Sequence, residues 1–566
     1  MKMDRKKVKK ENIFQLCLLI LIIIFINIFI SSTNLRLDLT QDKRYTLSPL
    51  TKEILKTLPD KVIIKVYLEG DLPLAFKKFN QAIKDFFDEI KNYSEKNLFI
   101  EFIDPYDRPS NQIKPFFEQL YKQGLQPTNI KIKDKKGGYE EKIVIPGAMV
   151  SYSNIDFPVN LLTNNINLSG EENLNNSLQN LEFNFINAIK CVIKEKIDKI
   201  AFIEGHGEFD EYQTGSIMRE LAYYFEVDRG QINGHSGILN PYKCVIIAGS
   251  SKNFSEEDKF VIDQYLMNGG KILWLLDETN INNDSIAQGN AFASINQHNL
   301  DDQLFKYGIR INPVLIRDIQ CGLIPVSTST GYSQNQILPA PWYYYPLLIG
   351  NSKHPISRNL SLIKSEYASY IDTLNIPELK HYILLHTSNL TNIRKIPSVI
   401  SLNEIKTPLS KQEFNKAELP VAVLSEGIFT SVFQNRLLSA FKIKGNYSFK
   451  ERSVPTKMIT VADADIIRND VRYTPNGIKI APLGFDRLTS QTFANKDFLI
   501  NAINYLTDEY NLINLRSRTI QLRLLNKELL FNKQTKYKVI NFVLPILIII
   551  FLGLVINFFR IKKFSL

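Results

Sequence analysis

The sequence predicts an α/β protein held between two membrane-spanning helices. Three observations carry that expectation: an apolar run near each end of the 566-residue chain, a strand–helix–strand order after the first run, and three later strands that are apolar without alternation. The length allows two or three domains of ordinary size. Hydrophobic residues make up 44% and charged residues 22%, the balance of a globular chain rather than a disordered one.

The first run, Ile13–Ile30, holds 18 residues of which Gln15 and Asn27 are polar. As a helix it is roughly 27 Å long, near the hydrocarbon thickness of a bilayer. The second run is Val539–Phe559, and its Pro545 and Gly553 are tolerated within a membrane helix. Arg5, Lys6, Lys7, Lys9 and Lys10 precede the first run; Arg560, Lys562 and Lys563 follow the second. The positive-inside rule places both termini in the cytoplasm and the region between them outside. A cleaved signal peptide is the alternative for the first run, with Ser31-Ser32-Thr33 as small residues for a cut, although its usual core is only about 7–15 residues. Asn27, Asn541 and Asn557 either meet headgroups or hydrogen-bond to a partner helix.

Without the nine Lys/Arg and two Asp/Glu of the two tails, 60 basic residues face 56 acidic ones, which is no nucleic-acid footprint. Of four cysteines, Cys17 lies in the first run and Cys191, Cys244 and Cys321 lie outside it. None forms a C-x-x-C, so neither a disulfide framework nor a zinc site is readable.

After the first run, residues 38–58 read as an extended lead and then a helix capped by Ser48, with Pro49 at its first position. A strand at 61–70, a helix near 74–93 and a strand at 97–105 form a parallel crossover, and a hairpin about Gly137-Gly138 completes the domain. That order fits a thioredoxin-like arrangement without redox cysteines. Residues 178–194 repeat Leu178, Leu181, Phe185, Ile189 and Val192 at helical spacing and join this domain to the next.

The second domain opens with strands at 198–205, 243–249 and 271–277, each apolar throughout as a strand buried on both faces should be. Ile217, Leu221 and Phe225 mark a helix between the first two; Ser255 caps the next, with Glu256 and Glu257 at its positive end and Asp258 completing a box-like cap before a stop at Gly269. From 280 to 480 the pattern weakens to loops and short strands, with 461–470 as a strand edge rich in acids and 493–509 as a helix. Residues 515–530 carry Arg516, Arg518 and Arg523 beside an apolar stripe and either lie along the membrane surface or brace the outer region.

Candidate ligand or partner residues fall in three places. Glu204, His206 and Glu208, in the run IEGHGE, can supply an acid–base group or metal ligands; alternatively Gly205 and Gly207 make a sharp turn and the polar residues cap the next helix. Asp277 ends a strand where open α/β sheets bind ligands, and Asp463, Asp465 and Asp470 can join it around a cation; the structural alternative is a cap. Trp342, Tyr343 and Tyr344, in PAPWYYYPLL, either stack on a sugar or partner or fold over the core. No G-x-C-x-G or G-x-S-x-G elbow and no G-x-x-x-x-G-K-[ST] loop occurs, so neither an amidotransferase or hydrolase nucleophile nor ATP hydrolysis is expected; Ser169-Gly170 matches part of an ABC signature by coincidence.

DLTQDKRYTLSPLTKEIL, EENLNNSLQNLEFNFINAIK, IEGHGE, DQYLMNGGKILWLLD, APWYYYPLL and LPILIIIFLGLVINFFRIKK, in that order, resemble the gliding-motility-associated ABC transporter component of the GldG type. The resemblance runs from the first apolar run to the last residues. It implies a Bacteroidetes-type bacterium, an inner-membrane complex with a multi-span permease and a separate cytoplasmic ATPase, and an outer region often described as substrate-binding, with cargo unknown. It also implies a class I glutamine amidotransferase-like, doubly wound second domain, and offers no catalytic residues. The chain then divides into a tail (1–12), a span (13–30), a thioredoxin-like α/β domain (36–172), a connecting helix (173–196), an amidotransferase-like α/β domain (197–510), a juxtamembrane segment (511–538), a second span (539–559) and a tail (560–566). The expected protein is a non-enzymatic, cofactor-free periplasmic subunit; an envelope scaffold, or a hydrolase using Glu204, His206 or Asp277, are the alternatives.

Overall fold

The computed structural model describes residues 5–32, 46–94, 97–133, 139–163, 165, 168–194, 196–328, 336–406, 410–475, 477–508, 512–517 and 527–564. Most of the extended lead before Ser48, the Gly137-Gly138 turn, and Arg518 and Arg523 lie outside the described residues. The chain forms two compact units, residues 1–519 and 520–566.

The Pro49–Lys56 helix starts as its sequence dictates: Ser48 Oγ accepts the Thr51 amide at 3.0 Å, and Pro49 needs no donor at that position. The Glu182 carboxylate accepts from the Ser48 amide and the Thr51 hydroxyl, each at 2.7 Å, and ties this helix to Leu181–Ile193. Strands β1 (Val62–Val66) and β2 (Leu98–Phe102) pair in parallel across the Leu74–Lys91 helix, as expected. The hairpin does form, from Thr128–Lys133 and Tyr139–Val144, but as a separate two-stranded sheet. Two further strands, β3 (Gly147–Tyr152) and β4 (Ile155–Asn160), complete the main sheet in the order β2-β1-β3-β4, with both new pairings antiparallel.

The expected helix at 178–194 divides at Asn180 into Gly170–Gln179 and Leu181–Ile193. Ser169-Gly170 has a local cause: Ser169 and Glu172 form a reciprocal capping box at the first of these helices. The second helix does more than connect. Its Phe185 is buried against Phe86 and Phe87 of the crossover helix, and the main hydrophobic core runs without a break from Leu47 to Leu515.

That core is centred on a mixed sheet of ten strands: β5 (Lys199–Glu204), β6 (Glu226–Gln231), β7 (Cys244–Ala248), β8 (Lys271–Leu275), β9 (Cys321–Thr328), β10 (Gln336–Gly350), β11 (Ile363–Lys364), β12 (Leu379–His386), β13 (Pro420–Gly427) and β14 (Thr456–Val461). The order is β9-β10-β12-β13-β14-β8-β7-β5-β6, with β11 beside β10. From β14 to β6 all pairings are parallel; from β14 to β9 all are antiparallel. β6 escaped the sequence because it is an edge strand of mixed polarity, DRG at its centre. The loops and short strands expected between 280 and 480 are present, and β9 to β13 carry five of those strands into this sheet. Prolines 339, 341 and 346 within β10 hid it, and the strand accommodates them by exchanging β9 for β11 and then β12 along its length.

The Glu256–Met267 helix is buried around almost its whole circumference, because segment 428–455 wraps its outer side: Phe260 meets Phe433 and Tyr447 with ring centroids 5.3 and 5.1 Å apart. Asn495–Thr507 forms the last helix of the core.

At the ends, Arg5–Ser32 and Lys527–Phe564 are helices. Lys533–Lys562 is long and apolar enough to cross a bilayer; the N-terminal helix holds a shorter apolar stretch, Ile13–Ile28. Both point to membrane anchoring. Within the N-terminal helix Asn27 Nδ2 donates to the Ile23 carbonyl at 3.0 Å, so its amide is satisfied along its own helix.

Candidate functional site

In a doubly wound sheet a ligand sits where successive strands depart in opposite directions. Here that point lies between β5 and β7, since the chain passes from β5 outward to β6 and returns to β7 on the other side. The IEGHGE turn occupies it. Gly205 and Gly207 have φ of 116° and 78°, the left-handed region that favours glycine. A Cβ on Gly207 would lie 2.2 Å from Ser251 Oγ, and one on Gly249 2.8 Å from the Phe209 ring. The crevice is filled by the protein's own turn.

The polar residues of the turn do not cap the next helix. His206 is buried, stacked on Phe254 at 3.7 Å, and lies between two carboxylates: Nδ1 is 3.1 Å from Glu208 Oε1 and Nε2 is 3.0 Å from Asp258 Oδ2. Burial alone would lower its pKa, but the Asp258 and Glu208 hydrogen bonds outweigh it and hold His206 at about 9. Both ring nitrogens are thus protonated and engaged at neutral pH, leaving no lone pair for a base or a metal. Asp258 Oδ1 also accepts the Gly234 amide at 2.6 Å. Its side chain therefore clasps the turn instead of completing the expected cap box, and Ser255 caps the helix alone. Glu204 faces elsewhere: Arg229 Nε donates to its carboxylate at 2.6 Å, and Arg229 also donates to Thr214 and the Phe209 carbonyl.

Asp277 follows β8 and accepts the Ala464 amide at 2.7 Å; burial pushes its carboxyl up to about 6. Asp463 accepts from the Glu366 and Asp465 amides at 2.9 and 2.8 Å, the second capping the 3-10 turn Ala464–Ile467. Burial drives Asp463 and Asp465 well above the usual carboxylate range. These acids cluster with Asp277 as the sequence allowed, each with an amide or guanidinium partner.

The one three-ligand group that could hold a metal among the described residues is different: Glu278, His298 and Asp301, with ligand atoms within 4.8 Å. His298 Nε2 lies 3.0 Å from Glu278 Oε1, and the Leu300 amide donates to Nδ1 at 3.2 Å. With Nδ1 an acceptor, Nε2 carries the proton and donates to Glu278. A metal-ligating histidine has the opposite arrangement, donating from its outer nitrogen. The trio fits a hydrogen-bonded pair, not a cation site.

Beside this acid cluster lies a cavity of about 420 Å³, within the size range of small-molecule sites. Lys364 and Arg468 line it with Asp210, Glu366, Asp465 and Asp470. Arg468 pairs with Asp465 at 2.8 Å and Glu366 at 3.0 Å, Lys364 with Glu366 at 3.3 Å, and Arg487 with Asp470 at 2.9 Å. Asn495 fixes the Lys364 backbone through both its amide N–H and its carbonyl oxygen, at 2.8 and 2.9 Å. Sequence reasoning missed Lys364, Glu366 and Arg468; the signal within reach was one arginine in the acid-rich VADADIIRND.

The aromatic run PAPWYYYPLL is part of β10. Trp342 and Tyr344 point inward, 2% and 1% exposed, in a second core with Leu315, Tyr367 and Ile400. The Tyr344 hydroxyl is 2.9 Å from Glu404 Oε2 and accepts from Arg394 at 2.5 Å, while Tyr343 packs on Phe414. The neighbouring cavity, about 160 Å³, is below the usual size of a small-molecule site. All four cysteines are unpaired, and burial pushes Cys191, Cys244 and Cys321 up to about 12, far from thiolate character at neutral pH.

Residues 197–502, over half of the chain, match a family described as an ABC-type uncharacterized transport system, and residues 41–151 match a domain family of unknown function. An uncharacterized protein of Borreliella burgdorferi is 25% identical over 572 residues, spanning 98% of this chain and 99% of its own. Among solved structures, the N-terminal domain of mmIFT52 aligns at 15% identity with 54% of this chain and 97% of its own, at a TM-score of 0.31. Every residue lining the larger cavity falls within the segment matched by the transport family.

Proposed function

This chain belongs to the ABC-type uncharacterized transport system family as an auxiliary component, and on that footing we propose that it is a non-enzymatic, membrane-anchored, substrate-binding subunit of the GldG type. The observation that carries the reading is the 420 Å³ polar cavity inside the family-matched segment, beside the carboxyl ends of the sheet strands. Two spans, with basic flanks at Arg5–Lys10 and Arg560–Lys563, would leave both termini in the cytoplasm and the α/β region in the periplasm of the inner membrane. The order β2-β1-β3-β4 supports a thioredoxin-like first domain, and the parallel part of the large sheet an amidotransferase-like second one.

Against hydrolase chemistry, Glu204, His206 and Asp277 are each committed to a different partner, Arg229, the Glu208–Asp258 pair and the Ala464 amide. A scaffold without cargo is the second reading, favoured by the filled crevice between β5 and β7.

The test is affinity purification of the full chain from membranes in a mild detergent. A multi-span permease and a cytoplasmic ATPase should be retained. Retention of neither overturns the assignment. Protease added to intact spheroplasts should cut within the α/β region; complete protection would overturn the topology.

A further inference from the structure

We propose that the outer end of the second span is a docking collar for anionic phospholipid headgroups, formed by Lys533, Lys536 and Lys538 around Tyr537. The inference rests on Lys533–Lys562 crossing the bilayer with its Lys533 end outside, and is independent of any cargo.

The spanning section of the C-terminal helix begins at a break, Lys533, whose φ and ψ of −127° and 21° leave the helical region. From Lys538 to Arg560 the helix rises roughly 33 Å, close to the hydrocarbon thickness, so the cations at both ends stand at the depth of the lipid phosphates. Orientation does not account for the outer set. A span placed by charge carries its excess of Lys and Arg on the cytoplasmic side. Here Lys533, Lys536 and Lys538 outside equal Arg560, Lys562 and Lys563 inside, so the outer three cancel the orienting signal of the inner three.

The helix itself holds no counter-ion for them. Glu528 is the last acidic residue of the sequence, so no side chain from Lys533 to Leu566 can neutralise the collar. All three lysines are exposed, and none has an ion-pair or hydrogen-bond partner among the described residues. Lys536 and Lys538, two positions apart, leave the helix about 160° from one another. A protein partner covers one side of a helix, whereas a shell of lipid reaches both. Each ammonium can donate to phosphate oxygens while its methylene stem lies along the acyl chains. Tyr537, 42% exposed, suits the same depth, with its ring in the apolar layer and its hydroxyl among the headgroups. A zwitterionic headgroup brings its own cation to the phosphate; an anionic one leaves its charge for the lysines. The collar therefore selects anionic phospholipid over phosphatidylcholine.

The experiment reconstitutes the full chain in phosphatidylcholine vesicles with a trace of spin-labelled phosphatidylglycerol or spin-labelled phosphatidylcholine. Electron paramagnetic resonance then reads the motionally restricted lipid at the protein surface. Phosphatidylglycerol should be favoured by about fivefold, the strength of a single lysine at a charged surface. Salt at about 1 M should abolish the preference, and inorganic phosphate at constant ionic strength should not. Lys533→Gln, Lys536→Gln and Lys538→Gln combined should lower it about twofold, because the inner flank keeps its own three cations. Arginine at the same three positions should preserve it. Equal restriction of the two lipids, a preference unchanged in the glutamine variant, or displacement by inorganic phosphate would each overturn the inference. Restricted lipid without preference sinks the collar and leaves the span standing; no restricted lipid of either kind removes the span and the collar with it.

Discussion

Raising the pH through the alkaline range should release the turn that fills the crevice between β5 and β7. His206 is held at about 9, against an ordinary value of 6.5, by carboxylates at 3.0 and 3.1 Å. A folded-state pKa raised in this way adds stability that is complete below about pH 6.5 and disappears as the pH climbs through 9. The shift, at 1.36 kcal/mol per pH unit, sets a ceiling of about 3 kcal/mol, with about 2 expected once residual solvent screening is allowed for. His206→Gln keeps one hydrogen bond and removes the charge, so it should show none of this dependence. The assay is urea unfolding of the solubilised chain, followed by fluorescence of its two tryptophans, Trp274 and Trp342, both buried. The stability difference between wild type and His206→Gln should shrink by about 2 kcal/mol between about pH 6 and pH 10. Subtracting the variant cancels other groups that titrate in the same window. Parallel pH curves for the two proteins would refute the clasp.

Asp277→Asn should stabilise the protein at neutral pH by about 2 kcal/mol, because burial lifts this carboxyl to about 6 and its ionised form is disfavoured in the fold. The gain should fade as the pH falls from about 6 to about 4, and urea midpoints at the two ends of that window check it. Asp263→Ala should cost about 3 kcal/mol or more, since the Tyr307 and Ser431 hydroxyls, at 2.8 and 2.7 Å, and the Val432 amide, at 3.1 Å, lose a buried acceptor. The same unfolding assay reads it, and Asp263→Asn should cost less. Trp342→Ala should cost about 3–5 kcal/mol by opening a void in the second core, whereas an exposed stacking residue would cost little; circular dichroism during urea unfolding checks the difference.

What the sequence determined by itself is what neighbours along the chain decide. The Ser48 and Ser255 caps, the β1–helix–β2 crossover, the buried strands β5, β7 and β8, and the apolar helices at both ends each arise from periodicity or capping within a few residues. The glycine turn in IEGHGE was legible for the same reason, since φ of 116° and 78° favours glycine locally. Only the tertiary structure decided the rest. His206 meets Asp258 across 52 positions and Glu366 meets Arg468 across 102, so neither pairing leaves a mark in either segment alone. The partners of β9 to β13 were equally hidden, because the hydrogen bonds that make a strand belong to the chain beside it. Trp342 and Tyr344 illustrate the limit most plainly: an aromatic run reads alike whether it faces water or a core, and the packing of Leu315, Tyr367 and Ile400 against them settles which.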